Sequence, residues 1–159
     1  MGNEYFLHEC RATGQVFKNY EDWWKWLDEN QKDVNKAVVE HDGFKYNIND
    51  VCLNPHTKAS YKIDEISSWQ VSTAKTQYGW IWGYEIKVGG NYYSHSPAYP
   101  SRYSNTPFFE TETEAIIDGL TFVIHQLEGR PKTKATSMML YYAKKQKAEL
   151  EHPQLNLFN

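Results

Sequence analysis

Residues 78–88 read Tyr-Gly-Trp-Ile-Trp-Gly-Tyr-Glu-Ile-Lys-Val, and this alternation constrains the fold more than any other stretch. Wound as a helix, the large side chains would spread around the whole circumference. As a strand, Tyr78, Trp80, Trp82, Tyr84, Ile86 and Val88 share one face, leaving Gly79, Ile81, Gly83, Glu85 and Lys87 on the other. Gly89-Gly90 then supplies a tight turn into Asn91-Tyr-Tyr-Ser-His-Ser96. Upstream, Trp69-Gln-Val-Ser-Thr-Ala-Lys75 alternates in the same way. Three antiparallel strands are expected, and a face this apolar has to be covered. Trp80, Trp82 and Ile86 are expected to turn toward helices, with the Ile81 face toward solvent. Trp80, Trp82 and Tyr84 could instead form a stacking platform for single-stranded nucleic acid. Such a platform needs flanking cations, and only Lys75, Lys87 and Arg102 lie near in sequence, so core is the favoured reading.

The helices that would cover the sheet are legible from their ends. In residues 111–129, Thr111 is a cap with Glu114 three residues on, and Gly129 is a stop. Ile116, Leu120, Val123 and Leu127 form its inward stripe. After Pro131 a last helix places Ala135, Met138, Met139 and Tyr142 on one face, and Pro153 ends it. An earlier helix is read from the Asn19 cap to Gly43, with Trp23, Leu27, Val34 and Val38 near one face. Residues 44–68 give mixed signals, and 97–107 carry three prolines and read as an exposed loop. The expected fold is α+β, in the order α-βββ-α-α: one domain over 1–150 and a peptide tail over 151–159. In outline this resembles the αβββα layout of double-stranded-RNA-binding domains, without that family's basic loop residues.

Bulk properties exclude several classes. The 159 residues can bury a core unaided, and 16% aromatic content argues against disorder. No apolar run approaches the roughly 20 residues that span a bilayer. Two cysteines make no disulfide framework, so a cytoplasmic location is expected. The net charge of −3 is unevenly spread. Up to residue 129 there are eleven Lys/Arg against eighteen Asp/Glu. Residues 130–147 hold Arg130, Lys132, Lys134, Lys144, Lys145 and Lys147 with no acid. That segment is a candidate DNA contact on an otherwise acidic body.

The sharpest motif is Gln154-Leu155-Asn156-Leu157-Phe158. It resembles the bacterial sliding-clamp-binding peptide, a Gln-Leu-x-Leu-Phe pattern of DNA polymerases, repair proteins and mobile-element proteins. All four specified positions match, and Asn156 stands where Ser or Asp is commoner. The resemblance implies that Leu155, Leu157 and Phe158 fill an apolar pocket on the clamp, and that Gln154 hydrogen-bonds at its rim. The expected function is an accessory role in DNA metabolism, of phage or mobile-element type. The alternative is that the tail folds back as a structural latch on a protein-interaction adaptor.

Two chemical patterns compete with that reading. Asp64 followed by Glu85-Ile86-Lys87 mimics the Asp…Glu-x-Lys arrangement of a nuclease superfamily, where carboxylates hold Mg²⁺ and lysine steadies water. The bland reading is ordinary charge pairing on a strand. His8, Cys10, Cys52 and His56 could make a four-ligand metal set, but their spacing matches no familiar zinc module. No motif asks for a cofactor, and none of the common enzyme signatures is present.

Overall fold

The computed structural model describes residues 8–30, 33–100 and 106–153. A short hairpin, β1 (His8–Cys10) and β2 (Gln15–Phe17), leads into helix α1 (Tyr20–Asn30). A second hairpin follows, β3 (Val39–His41) and β4 (Phe44–Tyr46). The main antiparallel sheet runs β5 (His56–Asp64), β6 (Ser67–Thr76), β7 (Gly79–Val88) and β8 (Asn91–His95) in sequential order. Helices α2 (Glu112–Glu128) and α3 (Lys134–Glu151) complete the chain. The class is α+β, as expected, but the sheet has four strands rather than three. The extra strand, β5, lies within the stretch that gave mixed signals. No helix among the described residues is long and apolar enough to cross a membrane.

The first helix is much shorter than its apolar spacing suggested. It stops at Asn30, and Val34 is 50% exposed. The chain then doubles back through Asp42 (φ 49°) and Gly43 (φ 85°). Two successive positive φ values make the turn whose twist suits a two-residue hairpin. Asp-Gly was therefore a hairpin signal, not the close of a helix.

One face of the sheet and the inner faces of α2 and α3 form the larger core. Trp69, Val71 and Ile86 meet Ile116, Leu120, Val123, Leu127, Met139 and Ala143 there. The capping and inward stripe of α2 are as expected: Thr111 accepts from the Glu114 N–H, and all four stripe residues are buried. Thr133 and Thr136 form the reciprocal capping box of α3. The inward residues of α3 are Thr136, Met139 and Ala143, whereas Met138 turns outward. The sheet and α2 approach so closely that a Cβ at Gly119 would lie 2.6 Å from Val71 Cγ1. Beside that contact, Trp82 Nε1 donates to Asp118 Oδ2 at 2.8 Å.

The expected face assignment holds for Trp82, Tyr84, Ile86 and Val88, which pack in this larger core, but not for Trp80 and Ile81. Ile81 is 3% exposed, and Trp80 packs with it in a second core. Cys10, Ala12, Phe44, Tyr46, Cys52, Ala74 and Tyr99 make up the remainder. The amino-terminal hairpins cover this end of the second sheet face, which is why it is not open to water. Residues 97–100 join them: Pro97 and Tyr99 are buried, and the Cys52 N–H donates to the Pro97 carbonyl at 2.8 Å. The proline-rich segment thus packs inward here, against expectation.

Asp50 ties this second core together. Its carboxylate accepts from the Ala12 N–H at 2.8 Å, the Arg11 N–H at 3.1 Å and Cys10 Sγ at 3.1 Å. Burial first, then the nearby Asp50 charge, push the Tyr99 phenol up to about 12. Burial also raises Tyr46, whose hydroxyl donates to the Lys75 carbonyl at 2.6 Å. Both phenols ionise more readily in the unfolded chain, near pH 10. The Tyr99 contribution to stability is therefore complete below about pH 10 and is lost as pH rises through about 12, while that of Tyr46 is lost only at still higher pH. Urea midpoints measured across that alkaline window should fall, and Tyr99→Phe should make the fall shallower. A flat profile would show that neither phenol is held neutral by the fold.

Candidate functional site

The basic segment runs from the connector after α2 through most of α3, and folding sorts its six cations into different roles. Arg130 follows the α2 stop, and its guanidinium lies 4.4 Å from the centre of the Tyr93 ring on β8. Arg130 Nη1 also donates to the Tyr93 hydroxyl at 3.2 Å. Lys144 pairs with Glu128 at 3.2 Å across the α2–α3 contact, and Lys147 pairs with Glu151 at 3.5 Å along the helix. Lys145 lies 5.9 Å from the Tyr142 ring centre. Lys132 and Lys134 are exposed and make no ion pair among the described residues.

Three of these cations, Arg130, Lys132 and Lys144, line one open groove of about 600 Å³ between α2 and α3. Its floor is apolar, from Leu127 and Leu140, and the Tyr141 ring stands at its wall. Tyr141 is 60% exposed, far more than a core tyrosine. Sequence reasoning singled out neither Tyr93 nor Tyr141. The signal for Tyr141 was present, since it falls four residues after Ser137 and three before Lys144, on the outward side of α3. Nothing local could have paired Tyr93 with Arg130, because β8 and the connector meet only through the tertiary fold.

Gln154, Leu155, Leu157 and Phe158 lie outside the described residues. What precedes them is defined. Leu150 packs against the larger core, Glu151 is the last residue of α3, and His152 and Pro153 are exposed.

The sheet surface turned away from the helices carries a second, smaller groove of about 260 Å³. Asp64, Glu85 and Lys87 all line it, so folding does bring the nuclease-like trio together. Their hydrogen bonds are spent locally. Glu85 Oε2 accepts from the Tyr92 hydroxyl at 3.1 Å and from Gln70 Nε2 at 3.5 Å, and Glu85 Oε1 lies 3.8 Å from Lys87 Nζ. Asp64 Oδ1 accepts from the Ile66 N–H at 2.9 Å, which closes the β5–β6 turn. Of the other cations near the aromatic strand, Lys75 pairs with Asp42 at 3.2 Å, and Arg102 lies outside the described residues.

The metal set does not assemble from its described members. Cys10 and Cys52 are both buried in the second core, where desolvation raises their thiol pKa values. A raised pKa favours the protonated thiol over the thiolate that binds metals. His56 packs against the Phe44 ring at 4.6 Å, and His8 opens strand β1 opposite Phe17. Among the described residues, no three His, Cys, Asp or Glu side chains gather closely enough to hold a metal ion.

In comparison with known proteins, no family model matches the chain, and no curated protein or solved structure is significantly similar.

Proposed function

We propose that this chain is a non-enzymatic accessory protein of DNA metabolism that docks on the bacterial sliding clamp through Gln154, Leu155, Leu157 and Phe158. The observation that carries the reading is the four-position match in the segment directly following α3. His152 and Pro153, which lead into that segment, are exposed at the end of α3. The α+β body then serves as the cargo that the peptide brings to the clamp. Clamps act at replication and repair sites, so a clamp-docking protein would serve DNA metabolism.

Calorimetric titration of the intact chain against a purified bacterial clamp tests this, alongside a chain truncated after His152. Binding by the first and none by the second supports the proposal. If truncation instead lowers the melting temperature and the intact chain binds no clamp, the segment is a structural latch. The rival enzymatic reading is favoured by one observation, the shared groove of Asp64, Glu85 and Lys87. Incubation with plasmid and Mg²⁺ or Mn²⁺ separates it. No cleavage is expected, because Tyr92, Gln70 and Lys87 engage the Glu85 carboxylate and Asp64 Oδ1 is used to close the β5–β6 turn. Cleavage that disappears in Glu85→Ala would replace the accessory reading with a metal-dependent nuclease.

A further inference from the structure

The groove between α2 and α3 combines three features that rarely coincide on an otherwise acidic protein. It has an apolar floor, an exposed ring at its wall and cations on its rim. Arg130 extends the same surface to a second ring, Tyr93, which is 40% exposed on β8. Rings interleaved with cations suit a strand whose bases are unpaired, since each base has a face to stack and each phosphate a charge to meet. A duplex hides its base faces, so Tyr141 and Tyr93 would add nothing to duplex binding.

We propose that this groove binds single-stranded DNA, with a base stacked on Tyr141 and phosphates on Arg130, Lys132 and Lys144. The choice of DNA over RNA rests on the clamp reading; the site itself rests on the groove. Glu128 holds Lys144 in the free protein, and a phosphate must displace that exposed pair, which is a weak competitor. Arg130 need not leave Tyr93, because a stacked guanidinium keeps N–H donors at its edge for a phosphate. Lys147 turns toward Glu151 and does not line the groove, so it takes no part.

The test is fluorescence anisotropy of the full chain with a labelled oligothymidine of about 20 nucleotides, a matching oligouridine and a duplex of equal length. Binding should favour the oligothymidine. Its log affinity should fall against log salt with a slope of about −2, as three phosphate contacts on a single strand imply. Tyr141→Ala should weaken binding roughly tenfold or more, while Tyr141→Phe should retain it. Lys132→Gln with Lys144→Gln should weaken binding and flatten the slope, and Lys147→Gln should change neither. Unchanged melting temperatures would show that these exposed substitutions leave the fold intact. Three results overturn the proposal: no oligothymidine binding at low salt, equal binding to duplex with indifference to Tyr141→Ala, or tighter binding to oligouridine. The chain truncated after His152 should bind the oligonucleotide normally even though it cannot bind the clamp. Failure of one reading is thereby distinguishable from failure of the other.

Discussion

Trp69→Ala should cost about 3 to 5 kcal/mol of folding stability, enough to consume much of the margin of a domain this size. Trp69 is 1% exposed and sits where the sheet meets the helices. Its indole Nε1 donates to the Met139 carbonyl at 3.0 Å, which joins β6 to the first half of α3 across 70 residues of sequence. Truncation would therefore leave a cavity under α3 and remove a buried hydrogen bond. Trp69→Phe should lose less, because most of the ring volume stays while the N–H goes. Urea unfolding followed by circular dichroism would measure both. A loss below about 1 kcal/mol for the alanine variant would mean that α3 is not held to the sheet through this side chain.

The elements that could be read from the sequence are those whose signals are local. Strand β7 declared itself through unbroken alternation, and α2 through its Thr111 cap and inward stripe. Strand β5 did not, because most of its side chains are exposed and its pairing slips between Thr57 and Ala59 and again between Lys62 and Asp64. Each slip breaks the two-residue period on which recognition depends. The second core was invisible for a different reason. Cys10, the neighbouring Tyr46 and Cys52, Ile81 and Tyr99 arrive from four separate parts of the chain, so no single stretch carries the pattern. The candidate site shows the same division. Charge counting found all six cations, but the packing of α2 on α3 decides which of them share a groove. Arg130 and Lys144 are drawn to its rim and Lys147 is not.

Leu157→Ala with Phe158→Ala should remove most clamp affinity, about 2 kcal/mol or more, a loss of roughly thirtyfold. Paired apolar anchors dominate short-peptide contacts because they fill pockets, whereas Gln154 works at a solvated rim where a lost hydrogen bond is partly replaced by water. Gln154→Ala should therefore cost less than the double substitution. The affinity of the intact chain for free clamp should be modest, since an extended peptide loses conformational freedom when it docks. On a clamp loaded at a single-stranded gap the expectation changes. If the groove beside Tyr141 holds the strand while the peptide holds the clamp, the second contact forms at a high effective concentration, up to the millimolar range. Retention on loaded clamp should then exceed retention on free clamp by tenfold or more, and either Tyr141→Ala or the Leu157/Phe158 pair should abolish the gain. Equal retention on free and loaded clamp, with both single contacts confirmed separately, would show that the two surfaces cannot engage at once. The peptide would then act alone, and the groove would serve DNA only when the clamp is released.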